Sequence, residues 1–547
     1  MLARALLALS LSTLLPSDAS AQTELAGLQP ADSAPSHFGW SVAVDGPRAV
    51  IGAPGDAAAL DEAGAAYVFE LGPGGWTEVA KLEPGDPSTG NLFGYAVAVD
   101  GDRIVVGAPR RGTFFLPEIG GAYVFERQGA SWVETAILTG SDDLGTGFGC
   151  AVAVDGVHAA VGAPEEDGVG TVRVYGYFAP WGTWIIEATL PGLFTGDERG
   201  AAVALEDDLL VVGDPGSDFA FLSPDNAGRV VFFRDGGGGW NPDGQVAASS
   251  DPIGRFGSSV AVRAGRVLAG APGVSLGRGA AYVLEEEGAV WVVDEELEAH
   301  DGSLGDGFGT SVALSDDGAL VGAPGADAAL AGTGAGYHYL KVSSSWYERC
   351  KLSPADAATG DGFGRGVALL DEEALIGASG DDSGCPFVFP ACDRGELYVF
   401  DVDPLVPYGC GVNPAGTIWQ FDGQPAINEF LQIAVFNNQG TQGGGAAWLA
   451  LGATPPPNYP CGTLVAGWGM AGGGAPGELL VPQQDAVLGP IDWDGVLPVV
   501  FQIFLPDEPG LVGTRLYFQG LLRDPDPAAV VPLALTEALD VCVGVRQ

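Results

Sequence analysis

One spacing constrains this chain more than any other property. A Phe-Gly pair recurs at Phe38, Phe93, Phe148, Phe256, Phe308 and Phe363, and Arg199-Gly200 stands where a seventh copy belongs. The intervals are 55, 55, 51, 57, 52 and 55 residues. A unit repeated at such a period buries its apolar face only by stacking on its neighbours, and its length suits one four-stranded propeller blade with generous loops.

Each unit reads as four short strands. In the second, Tyr95 to Val99 alternates on period two, Asp100-Gly101 marks a tight turn, and Arg103 to Val106 runs back into Gly107-Ala108-Pro109. Ala122 to Phe125 and Trp132 to Leu138 follow as third and fourth strands, rich in the β-branched and aromatic residues that a half-buried pleated surface favours. The same terminator appears as Gly52-Ala53-Pro54, Gly162-Ala163-Pro164, Gly213-Asp214-Pro215, Gly270-Ala271-Pro272, Gly322-Ala323-Pro324 and Gly377-Ala378-Ser379. Proline ends a strand because it has no N–H for the ladder, and the small residues before it permit close backbone approach.

The strand count sets the topology. First, second and third strands occur seven times, but the Trp-led fourth strand occurs six times, at Trp76, Trp132, Trp184, Trp240, Trp291 and Trp346. The last repeat stops at Phe400 without one, whereas Thr23 to Leu28 resembles Thr77 to Leu82 and has the same spacer to its Phe-Gly pair. The N-terminal strand is therefore expected to close the ring, removing both free sheet edges that an open stack would leave. The expected architecture is all-β: a seven-bladed propeller over residues 22–403, a linker at 404–409, and a small β-sandwich-like domain over 410–547.

Phe-Gly followed by Gly-Ala-Pro in seven blades resembles the FG-GAP repeats of the integrin α-chain head and of many bacterial secreted proteins. The likeness spans about Gln22 to Asp403 and is specific as to fold. The resemblance would imply calcium loops between the first two strands, but here those loops are short turns such as Asp45-Gly46, Asp100-Gly101 and Asp155-Gly156. Calcium takes about six to eight oxygens gathered along a longer loop, so neither a metal nor any other cofactor is expected, and the Asp-Gly pairs read as hairpin turns.

Residues 1–21 have the parts of a secretory signal: Arg4, the apolar run Ala5 to Leu15, and small residues at Ala19 and Ala21. The chain is accordingly expected outside the cytoplasm, whether extracellular, at the cell surface or in the periplasm. The net charge of −47, with 70 acidic against 23 basic residues, argues against nucleic acid, since phosphate backbones demand clustered Lys and Arg. No run reaches the roughly 18 to 20 apolar residues of a membrane span. Seven cysteines in an exported chain permit disulfides. Cys385 and Cys392, with six residues between them in one loop, form the best candidate pair, while Cys150 and Cys350 fall on strand positions and are expected free and buried.

Chemistry is harder to find. His37, His158, His300 and His338 form no zinc-ligand pattern, and no catalytic residue is assigned. In an up-and-down blade, the loops joining second to third strands share one face, and here they are long, variable and acidic. Glu165, Glu166, Asp167, Asp381 and Asp382 are the candidate binding residues on that face. The expected function is a non-catalytic recognition or adhesion module, monomeric in its propeller, that binds an extracellular protein, a polysaccharide or a basic surface. A structural envelope or matrix protein is the alternative, and a hydrolase using the propeller centre is a third reading. Convergent buried carboxylates with a His or a metal in the channel would favour an enzyme, and small apolar packing there a binding module.

Overall fold

The computed structural model describes residues 5–7, 24–31, 36–57, 60–112, 118–141, 145–218, 226–247, 251, 253–326, 332–342, 345–354, 356, 358–370, 373–381 and 394–402, together with strands of the tail between 405 and 546. Two compact units emerge, one comprising Glu24–Trp346 and Leu352–Asp401, the other made chiefly of Val402–Gln547. Among the described residues no helix is long and apolar enough to cross a membrane.

The first unit is a seven-bladed propeller. Blade two shows the pattern: Ala96–Asp100, Arg103–Ala108, Gly121–Gln128 and Ser131–Leu138 form one antiparallel sheet in chain order. First strands lie innermost. Each packs beside the first strands of both neighbouring blades, from Ser41–Asp45 round to Phe363–Leu370 and back, so the cycle is complete. Fourth strands lie outermost and alternate exposed with half-buried positions, as in Gly75–Leu82.

The N-terminal strand closes the ring as the strand count requires. Glu24–Leu28 pairs antiparallel with Glu396–Asp401, with Gly27 opposite Tyr398 and Leu28 opposite Leu397, and so becomes the fourth strand of blade seven. A second joint lies on the same seam. The Phe38 amide donates to the Arg394 carbonyl at 3.0 Å, and the Gly39 carbonyl sits so close to Gly377 that a Cβ on that glycine would overlap it.

That second joint recurs between all the blades and explains both motifs. The glycine of each Gly-Ala-Pro faces the carbonyl of the Phe-Gly glycine in the next blade, as Gly52 faces Gly94 and Gly107 faces Gly149. Only a residue without a side chain allows that approach. The Phe-Gly glycine also holds its own blade, since the Gly94 amide donates to the Gly107 carbonyl at 3.0 Å. The phenylalanine then fills the space between blades: Phe38, Phe93, Phe148, Phe256, Phe308 and Phe363 are fully buried. Each such burial stabilises by about 1.5–3 kcal/mol. Described core clusters accordingly straddle blade boundaries, as where Phe38, Ile51 and Tyr67 meet Leu375, Leu397 and Val399 of blade seven.

The hairpin turns do more than reverse the chain. Asp45 accepts a hydrogen bond from the Gly101 amide of blade two at 2.7 Å, and Asp100 one from Gly156 of blade three at 2.7 Å. Asp155 accepts from the Asp207 amide, and Glu206 from those of Ala264 and Gly265 at 2.9 and 3.1 Å. Arg48 and Arg103 donate in the same direction, to the carbonyls of Gly101 and Gly156. The turn carboxylates thus strap successive blades together on this face.

The second unit is built of strands. Val499–Phe504 lies between Ala5–Leu7 and Phe430–Asn437 in one sheet whose other edge is Gly416–Asp422. A five-stranded sheet runs Leu405–Tyr408, Leu533–Cys542, Arg515–Arg523, Gly445–Gly452, Ala486–Trp493.

Candidate functional site

Each blade delivers one residue to the rim of the axis by the same backbone path. The residue before Phe-Gly adopts a left-handed conformation, with φ of 50° at His37, 56° at Leu92 and 52° at Arg255, and the glycine follows with φ near 90°. This reversal carries the chain from the inter-blade link onto the innermost strand. The residue after the glycine therefore stands at the start of that strand, on the face of the long loops. Those seven residues are Trp40, Tyr95, Cys150, Ala201, Ser258, Thr310 and Arg365. All seven differ, although the residues beside them repeat.

The rim is continuous where the structure gives contacts. The Arg365 guanidinium carbon lies 3.6 Å from the centre of the Trp40 ring, and the Trp40 and Tyr95 rings are 5.4 Å apart. Tyr95, Cys150 and Ala201 then line a cavity of about 430 Å³ together with Arg110, Glu118 and Glu165. Burial pushes the Cys150 thiol up to about 12, with the Glu165 carboxylate adding to the effect. Burial likewise raises the Tyr95 phenol, and the neighbouring thiol reinforces it. Both groups are neutral at pH 7, so Cys150 offers no nucleophilic thiolate and Tyr95 keeps its O–H.

Below the rim the channel is lined by strands of small apolar residues, such as Ser41–Asp45 (SVAVD), Ala96–Asp100 (AVAVD) and Ala151–Asp155 (AVAVD). Among the described residues no group of three or more His, Cys, Asp or Glu is arranged to hold a metal ion. His158 lies 3.4 Å from Glu187, and the His37 ring nitrogen Nδ1 lies 3.3 Å from the Ser379 carbonyl.

The structure separates the acidic candidates. Glu165 is exposed and stands on the cavity wall. Its neighbour Glu166 is buried at 4% exposure and accepts two hydrogen bonds from Arg173, at 2.5 and 2.6 Å. Burial alone would raise the Glu166 carboxyl, but the Arg173 guanidinium outweighs it and holds the group below its usual range. Asp167 is exposed in the short turn Glu166–Gly168, with φ of 53°. Asp381, at 3% exposure, accepts the Tyr398 hydroxyl at 2.7 Å. Glu165 to Asp167 belong to blade three and Asp381 to blade seven, so the two groups do not converge.

Some of the carboxylates expected on the loop face thus lie inside the fold. Asp56, Asp306 and Asp361 are also buried, and each is engaged locally: Asp56 by the Tyr67 hydroxyl and Lys81, Asp306 by the Ser303 amide, Asp361 by the Ala358 amide. Buried loop donors and tyrosine hydroxyls need acceptors, and these carboxylates supply them. The two strand cysteines are corrected: Cys350 is buried but disulfide-bonded, and Cys150 is free but only half-buried. Asp382, Cys385 and Cys392 lie outside the described residues.

Sequence reading passed over the rim. Its signal was a single variable position held between constant ones, the reverse of the conserved-motif pattern that draws attention first.

The FG-GAP repeat family profile matches residues 12–69, 76–125, 291–340 and 346–400. No curated protein matches the chain by sequence. A solved structure with some likeness is the crystal structure of Saccharomyces cerevisiae Sqt1, at 10% identity and a TM-score of 0.39, covering 70% of this chain and 100% of that one. With four repeats matched to the family and the Phe-Gly and Gly-Ala-Pro joints carried round seven blades, this chain is an FG-GAP repeat β-propeller protein.

Proposed function

We propose that this protein is a secreted, non-catalytic recognition or adhesion module that engages an extracellular partner at the channel rim on its loop face. The observation that carries the reading is the rim itself. The Phe-Gly pair before each rim residue and the Gly-Ala-Pro glycine facing it are constrained by the blade joints, and the position that opens the innermost strand differs in all seven repeats. A position that differs in every copy, and is gathered into one ring by the fold, is where specificity is placed. The apolar inner strands beneath it support binding over reaction, because acid–base chemistry at a propeller centre draws on polar side chains from several blades.

Capture from extracellular material tests this. The full chain immobilised as wild type is expected to retain a discrete set of components, and the triple variant Trp40→Ala, Tyr95→Ala, Arg365→Ala is expected to lose them while keeping its thermal transition. Identical capture by both proteins would show that the rim is not the binding surface.

A further inference from the structure

The arginines of this chain are mostly matched to acids. Arg48 meets Glu70 at 3.2 Å, Arg103 meets Glu126 at 2.9 Å, Arg111 meets Asp86 at 2.6 Å, and Arg229 meets Asp197 at 2.7 Å. With 70 carboxylates against 23 basic side chains, a partner is easily found. Arg365 is different. It is exposed at the rim, stacked 3.6 Å from the Trp40 ring, and forms no ion pair among the described residues. Arg110, on the wall of the cavity that Tyr95 lines, forms none among the described residues either, and both guanidiniums act on the Tyr95 phenol.

From this we infer that the rim binds a carboxylate, presented by a peptide segment of a protein partner, with Arg365 as its principal contact and Arg110 and the Tyr95 hydroxyl as further donors. The inference rests on the reading of the rim as the binding surface and names the chemistry it takes. Stacking on Trp40 satisfies the face of the guanidinium but not its N–H edge, which is built to take a carboxylate in a two-pronged bond. The indole also fixes the guanidinium in place, so little rotamer freedom is lost when a ligand arrives.

The cavity walls choose between sources of that carboxylate. An acidic polysaccharide carries a charge on every unit, and units next to the one held at Arg365 would face Glu118 and Glu165 in the cavity that Tyr95 and Arg110 line. Those two carboxylates repel it. They accept hydrogen bonds, however, and the amide N–H groups flanking a single acidic side chain are suitable donors. One face of Trp40, where a sugar ring would stack, is covered by Arg365, and Tyr95 crowds the indole from 5.4 Å.

Calorimetry on the full chain decides the matter with three probes: the N-acetylated, C-amidated peptide Ala-Ala-Glu-Ala-Ala, the same peptide with Gln in place of Glu, and trigalacturonate. The Glu peptide is expected to bind saturably and more weakly as salt rises, and the Gln peptide to bind at least about tenfold more weakly. Arg365→Gln is expected to abolish that preference, while Arg263→Gln, an exposed pair with Asp316 on the opposite face, leaves it intact. No saturation with the Glu peptide, equal binding of the Gln peptide, or a preference that survives Arg365→Gln would each overturn the inference. Tighter binding of trigalacturonate would overturn the peptide assignment. If capture depends on the rim while the Glu peptide fails, the recognition reading stands and the carboxylate falls. Capture independent of the rim removes the recognition reading itself.

Discussion

Blades two and four build the same joint from opposite chemistry. In blade two, Phe93 is fully buried and meets Tyr123 edge-on at 5.2 Å, beside the small Ala108. Blade four puts Arg199 in place of the phenylalanine, Asp214 in place of the alanine and Val231 in place of the tyrosine. Arg199 clasps Asp214 with three contacts of 2.8 to 3.1 Å, Arg229 joins Asp214 at 3.0 Å and Asp197 at 2.7 Å, and all four are buried. The backbone is unchanged: the Gly200 amide reaches the Gly213 carbonyl at 3.0 Å, as Gly94 reaches Gly107. What the repeat keeps is thus the glycine joint, and the filler is either apolar or ionic with its charges balanced.

Removing one partner in blade four is the severest test of that balance. Asp214→Ala leaves Arg199 and Arg229 buried with only Asp197 between them, and should cost about 3–5 kcal/mol, read as a fall in the urea midpoint. The matching apolar residue causes no loss in blade two, because no charge is left there without its partner. A loss below about 1 kcal/mol would mean that water or rotation of the arginines replaces the carboxylate, and the two blades would not be equivalent solutions.

Restoring the apolar pair sharpens the point. Arg199→Phe together with Asp214→Ala removes one charge of each sign, leaving Arg229 on Asp197. The double variant should lose less than about half of what Asp214→Ala loses, a coupling of roughly 2 kcal/mol between two contacting sites. Simple additivity in the same urea titration would show that Arg199 and Asp214 contribute independently.

Both departures were visible in the sequence, at Arg199-Gly200 and Gly213-Asp214-Pro215, yet their meaning was not. The period, the strand count and the closing strand are one-dimensional facts, and they placed Glu24–Leu28 on Glu396–Asp401. Compensation is a contact between the link before one strand and the end of the next, which spacing does not encode. The same holds for Glu166 and Asp381: composition marks them acidic, but only the neighbouring Arg173 and Tyr398 make them structural. In the tail, Ala486–Trp493 is hard to read as a strand because Gly489-Pro490 interrupts it, and Leu533–Cys542 because its Leu, Ala and Glu residues favour helix.

The smallest effect compares Asp214 with another carboxylate of the ring, Asp155. Asp214 lies between two guanidiniums, whereas Asp155 receives one amide hydrogen bond, from Asp207, and faces the carboxylates of Asp100, Asp207 and Glu206. Burial raises the Asp155 carboxyl above its ordinary 3.8, the amide bond opposes this, and the three acids raise it further. The folded chain therefore holds this proton more tightly than the unfolded one, so ionised Asp155 costs stability at neutral pH. That cost disappears as pH falls through the folded value. Asp155→Asn keeps an acceptor for the Asp207 amide and removes the charge. It should raise Tm at pH 7 by about 1–2 °C, under about 1 kcal/mol because solvent screens the site. The gain should shrink in high salt and vanish below pH 3.8, the ordinary value of the group. A lower Tm at pH 7 would instead show that the charge of Asp155 strengthens the strap between blades three and four by more than its neighbours repel it. In that case the turn carboxylates would belong with Asp214, as charges the fold requires.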